Sequence, residues 1–161
     1  MQRRAAMRLV AGVSLLAALP ARAALPPMRV YKSPSCGCCT EWVKHLRADG
    51  FIVAVEETGN NAARARLGIP PALASCHTAE IGGYAIEGHV PAADIRRLLA
   101  ARPKARGLAV PGMPIGSPGM EQGDERDAYD VMLVRDDGTT SVFASYPARR
   151  TVQRKPEGKQ R

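Results

Sequence analysis

Three of the four cysteines in this sequence fall within four residues, in the run Cys36-Gly37-Cys38-Cys39, and the fourth, Cys76, is followed directly by His77. Sulfurs crowded this tightly cannot staple distant parts of a chain to one another, so a simple disulfide framework explains them poorly. Thiolate chemistry explains them better. Cys36 and Cys39 have the Cys-x-x-Cys spacing of a redox dithiol. Cys38 adds a third sulfur that a dithiol does not need and that invites mispairing. Three thiolates on one turn suit a soft metal that accepts bridging sulfur. Cu(I) is the natural candidate, because thiolates select it and it tolerates low coordination numbers.

Neighbouring side chains on a helix diverge by about 100°, so Cys36, Cys38 and Cys39 cannot readily form three corners of one tetrahedron. Several copper ions bridged by shared sulfurs relax that constraint, and a multinuclear Cu(I)–thiolate cluster is the expectation. Cys76 is expected to complete it as a fourth thiolate; the competing reading is a small buried core residue. His77 reads equally as a further ligand and as a structural residue. Met113 and Met120 are possible thioether ligands, although apolar anchors for the loop between them is the favoured reading. His45, among charged neighbours, is expected to be exposed, and His89 to end a strand and support the loop; neither is expected to be a ligand. Trp42 is expected in the core.

These residues need elements to hold them. Met28 to Lys32 reads as a first strand, broken by Ser33-Pro34-Ser35. A helix is predicted from Gly37 to Asp49, with Trp42, Val43 and Leu46 on one apolar face and Gly50 as the residue that ends it. Phe51 to Glu56 is a predicted strand. A short helix, Ala62 to Leu67, ends before Ile69-Pro70-Pro71. Thr78–Ile81 and Tyr84–Val90 are predicted strands joined by Gly82-Gly83, a tight hairpin signal. A third helix runs from Pro91 to Ala101. A Gly/Pro-rich loop is expected from Lys104 to Glu125. A final hairpin, Val131–Arg135 and Thr140–Phe143, turns on Asp136-Asp137-Gly138. The order predicts an α/β (α+β) fold: a thioredoxin-like β-α-β / β-β-α sheet with an appended C-terminal hairpin. In such a fold the cysteine motif occupies the turn after the first strand. The helix N-terminus there favours thiolate over thiol, so lowered thiol pKa values are expected.

The 161-residue chain opens with Arg3, Arg4 and Arg8, an apolar stretch from Leu9 to Leu19, and Ala21-Arg22-Ala23. That is the three-part pattern of a signal peptide, and the apolar stretch is too short to span a bilayer comfortably. Cleavage by general export is expected to remove residues 1–23, giving a periplasmic protein without an integral membrane segment. A single domain over residues 24–146 and a basic, solvated tail over 147–161 are expected to follow. The formal net charge of +8 resides at the ends: residues 24–148 hold 13 basic and 14 acidic side chains. A basic face for nucleic acid is therefore not expected.

Several motifs occur together in order: Ser33-Pro34-Ser35-Cys36-Gly37-Cys38-Cys39, Trp42-Val43-Lys44-His45-Leu46, Ser75-Cys76-His77-Thr78, Ile86-Glu87-Gly88-His89-Val90-Pro91, Gly107-Leu108-Ala109-Val110-Pro111-Gly112-Met113-Pro114 and Gly116-Ser117-Pro118-Gly119-Met120. In this the sequence resembles the CopG-like family of bacterial periplasmic metal-binding proteins, domain of unknown function 411, over about Met28 to Tyr146. The resemblance implies a thioredoxin-like fold and a role in copper resistance. It implies copper bound by Cys36, Cys38, Cys39 and Cys76, and a redox role in which copper cycles between Cu(I) and Cu(II). Copper ions, and copper-efflux or copper-carrier proteins of the periplasm, are the expected partners. The main competing function is a thiol–disulfide oxidoreductase using Cys36 and Cys39; a zinc site is a third, made awkward by the adjacent Cys38-Cys39.

Overall fold

A computed structural model describes residues 24–150. The expected leader, residues 1–23, and residues 151–161 of the expected tail lie outside the described residues.

The elements follow in the order β1 (Met28–Lys32), α1 (Gly37–Ala48), β2 (Val53–Glu56), α2 (Asn61–Arg66), a 3-10 turn (Pro71–Leu73), β3 (His77–Ile81), β4 (Tyr84–Glu87), α3 (Ala92–Ala101), β5 (Gly107–Ala109), β6 (Tyr129–Val134) and β7 (Thr140–Tyr146). All seven strands form one mixed sheet in the order β2-β1-β3-β4-β5-β6-β7. β1 runs parallel to β2 and β4 parallel to β5, and the other neighbours are antiparallel. The expected α+β class, the parallel β1–β2 unit and the antiparallel β3–β4 hairpin agree with this.

The predicted apolar face of α1 is the buried one. Trp42, Val43 and Leu46 pack with Met28 and Val30 of β1, Ala79 and Ile81 of β3, Ile86 of β4, and Ile95 and Leu98 of α3. Each large side chain so buried contributes about 2 kcal/mol, which fixes α1 firmly across the sheet. The Trp42 indole also donates to the Val90 carbonyl at 2.9 Å. At the far end of α1, Gly50 (φ +86) closes the helix: its N–H bonds to the Arg47 carbonyl, and the Phe51 N–H to that of Leu46. This is the reverse turn for which glycine is suited, and it takes Phe51 out of the predicted strand and into the core.

The largest departure from expectation lies in the supposed Gly/Pro loop, where Gly107–Ala109 forms β5 between β4 and β6. Its three residues are all buried, so no polar–apolar alternation marks them as a strand. A Cβ at Gly107 would collide with the Ala85 carbonyl, so glycine permits the two backbones to approach. The C-terminal hairpin therefore continues the main sheet. The predicted strand Tyr84–Val90 ends earlier, at Glu87, because Gly88 turns the chain with φ +71. No helix among the described residues is long and apolar enough to cross a membrane.

Candidate metal centre

The end of β1 and the start of α1 place three cysteines at one end of the sheet. Cys36 occupies the position just before the helix, with no side-chain cap, and Cys38 and Cys39 lie in its first turn. Cys76 arrives from the segment between the 3-10 turn and β3. The four Sγ atoms lie within 4.8 Å of one another. Cys38 Sγ is 3.5 Å from Cys36 Sγ and 3.7 Å from Cys76 Sγ. Cys36 and Cys39 are joined as a disulfide, their Cα atoms 5.4 Å apart, while Cys38 and Cys76 are free thiols.

The segment carrying Cys76 is held by a buried ion pair. The Glu87 carboxylate, fully buried, accepts from Arg64 Nε at 2.8 Å, from the Ser75 amide at 2.7 Å and from the Thr78 hydroxyl at 2.5 Å. Arg64 Nη2 and Asn60 Nδ2 donate to the Ser75 carbonyl at 2.5 and 3.2 Å. Burial raises the Glu87 pKa, and its hydrogen bonds and Arg64 oppose the rise. Ser75 is thus gripped at both backbone groups, and the next residue is Cys76.

A second set of donors overlaps the first. Cys76 Sγ lies 3.3 Å from His77 Nδ1 and 3.2 Å from His89 Nε2, and the three groups could together hold a metal ion. Both imidazoles are completely buried. The His77 ring lies against Trp42, centroids 4.3 Å apart, and edge-on to His89 at 4.9 Å. His89 Nδ1 is 2.8 Å from the Pro118 carbonyl; a carbonyl can only accept, so Nδ1 carries the proton and the Nε2 lone pair points at Cys76. Burial, reinforced by His89, pushes His77 down to about 3. Burial likewise lowers His89. Both rings are neutral and ready to ligate at ordinary pH.

The thiol at Cys76 lies outside the helix turn for which lowered pKa values are expected. Burial and the neighbouring Cys38 push it up to about 12. Cys76 lies off the helix N-terminus that motivated the expectation, so desolvation dominates. A metal binding there must displace a proton.

The loop after β5 crosses the site. The Gly112 N–H bonds to the Ala74 carbonyl, and the Ser75 hydroxyl donates to the Gly112 carbonyl at 2.5 Å. Further along, Pro118 meets His89. Gly119, at φ +85, rests on the first turn of α1, where a Cβ would lie 2.7 Å from the Cys38 carbonyl and 2.6 Å from the Trp42 amide nitrogen. Met120 is therefore carried beside the cysteine-bearing turn, and it is partly buried. Met113 is 52% exposed, so it does not anchor the loop; it borders a groove with Pro111, Pro114, Asp127 and Met132.

Sequence reasoning missed two histidine roles. His45 is half-buried rather than exposed, and its Nε2 accepts from the Ala92 amide at 3.3 Å, at the start of α3. The signal was Pro91, which offers that helix no side-chain cap. His89 joins the donor set because of hairpin register. The pairs Ile81–Tyr84 and Thr78–Glu87 continue past the ladder to set Cys76 opposite His89, and the Gly88 N–H still reaches the His77 carbonyl at 3.0 Å. The two-residue turn Gly82-Gly83 already implied that register.

A mixed α/β domain whose sheet end gathers four cysteine sulfurs and two imidazoles has the donor set of a soft-metal-binding protein. Residues 73–120 match the family model described as "Protein of unknown function, DUF411". Two solved structures are similar over 76% of this chain and 98% of theirs. One is described as copper resistance protein copG, Form 1, at 49% identity and TM-score 0.72. The other is copper resistance protein copG, Form 2, at 50% identity and TM-score 0.71. No match is found among curated proteins. The chain belongs to the CopG-like DUF411 family of copper-resistance proteins.

Proposed function

We propose that this protein is a periplasmic copper-binding protein. It holds Cu(I) on Cys36, Cys38, Cys39 and Cys76 as a multinuclear thiolate cluster, within a thioredoxin-like domain spanning residues 24–146, after removal of the leader 1–23. The observation that carries this reading is the convergence of four sulfurs within 4.8 Å of one another. Thiolates select soft ions such as Cu(I), and sulfurs this close can be shared as bridges between them. The similar structures, both described as copper resistance proteins, support copper as the cargo. Loading all four sulfurs requires reduction of the Cys36–Cys39 disulfide, which ties protein redox state to copper occupancy and accommodates cycling between Cu(I) and Cu(II). Copper-efflux or copper-carrier proteins of the periplasm are the partners this role calls for.

The test is an anaerobic Cu(I) titration of the reduced, leader-free protein, with metal analysis and thiol counting on the same sample. Two or more coppers per chain, with thiols protected from alkylation, supports the cluster. Saturation at one copper removes it.

The Cys36–Cys39 disulfide itself favours a second reading, a thiol–disulfide oxidoreductase. That protein would reduce insulin, and Cys38→Ser would scarcely affect it.

A further inference from the structure

The four-sulfur reading gives His77 and His89 no metal to hold, and His77 is costly to keep. Each is a completely buried imidazole. His77 Nε2 has no hydrogen-bond partner among the described residues, and leaving a buried polar atom unsatisfied is destabilising. An apolar ring against Trp42 would fill the same space without that cost, so stability does not account for histidine here. What the histidine supplies is Nδ1, directed at Cys76 Sγ.

We propose that Cys76 Sγ, His77 Nδ1 and His89 Nε2 form a mixed sulfur–nitrogen site for one divalent metal ion of intermediate softness, retained when Cys36 and Cys39 are joined as a disulfide. A tetrahedral ion with metal–sulfur and metal–nitrogen bonds of about 2.3 and 2.0 Å separates S and N by roughly 3.5 Å. The two S···N distances, 3.3 and 3.2 Å, are close to that value before any metal has drawn the ligands into place. His89 is oriented as ligating histidines are: its other nitrogen donates to a backbone carbonyl, that of Pro118. The loop after β5 thus acts on the site through His89. Disulfide formation withdraws the Cys36 and Cys39 sulfurs but none of these three donors, and Cys38 remains a free thiol 3.7 Å from Cys76 Sγ. The protein would then offer a sulfur-rich site when reduced and a sulfur–imidazole site when oxidised.

This inference shares Cys76 with the four-sulfur reading, so the experiment separates them. Protein with the Cys36–Cys39 disulfide intact is titrated with Co(II), which does not oxidise thiols. One Co(II) per chain is expected, with a thiolate-to-Co(II) charge-transfer band and the visible absorption of tetrahedral coordination. His89→Ala should weaken this binding at least tenfold. His89→Gln, which keeps bulk and polarity, should restore fold stability but not Co(II) affinity. No Co(II) binding by the oxidised wild type, or binding unchanged in both His89 variants, overturns the proposal. The anaerobic Cu(I) capacity of the reduced protein tests the four-sulfur cluster on its own.

Discussion

Cys76 Sγ and His89 Nε2 stand 3.2 Å apart because the β3–β4 hairpin sets their backbones opposite each other just past its last paired residues. The same hairpin carries Glu87, which holds the Ser75 amide. One turn, Gly82-Gly83, therefore sets the register of Cys76, His89 and the ion pair that positions them.

Replacing Cys38 or Cys76 by serine should lower Cu(I) capacity in the reduced protein by at least one ion per chain, as read by metal analysis after desalting. Cys38 Sγ lies between those of Cys36 and Cys76, at 3.5 and 3.7 Å, so losing either partner of the 3.7 Å pair removes a sulfur that the cluster would share. Capacity unchanged in both variants would leave Cys36 and Cys39 as a simple dithiol.

Glu87→Ala should destabilise the protein by about 3–5 kcal/mol, since it strands the partly buried Arg64 guanidinium without its partner. Denaturant unfolding measures this. The Ser75 amide loses its acceptor in the same variant, so alkylation of Cys76 should accelerate even under conditions where the fold persists.

Gly119→Ala combines a left-handed backbone with overlap onto the Cys38 carbonyl and the Trp42 amide. A cost of about 1–3 kcal/mol is expected. The loop should lift from α1, and Cys38 should react faster with a thiol reagent. A reaction rate equal to that of the native protein would mean that the loop does not shield the turn.

Alkaline pH should weaken the packing of the C-terminal hairpin on α3. The Tyr146 hydroxyl donates to Asp94 Oδ2 at 2.7 Å, and burial, then this bond and the Asp94 charge, raise its pKa above the usual 10.0. Burial pushes the stacked Tyr129 up to about 12. Above pH 10 the unfolded chain loses these protons before the folded one does. Stability contributed by both hydroxyls is thus complete below pH 10 and declines as pH rises beyond it. Stability measured from pH 8 to 11 should fall less steeply in Tyr146→Phe than in the native protein.

The sequence by itself determined the elements and the chemistry on offer. The apolar spacing of Trp42, Val43 and Leu46 selected the buried face of α1, Gly50 its end and Gly82-Gly83 the hairpin, because these signals are local and each acts through the residue's own geometry. It also grouped three sulfurs on one turn, which no folding could separate. Tertiary structure decided what sequence spacing does not encode. Gly107–Ala109 is a strand by its pairing with β4 and β6, hidden in the sequence because burial of all three residues removes alternation, and only the partner Ala85 reveals why glycine stands there. His45 became the acceptor for the start of α3 through a contact 47 residues away. Cys76 reached the helix turn, and His89 reached Cys76, because the sheet closes distances along the chain that no local pattern measures. The four sulfur donors were therefore legible from residue types, whereas the place of His89 beside Cys76 arises from strand register and the loop that aims its ring.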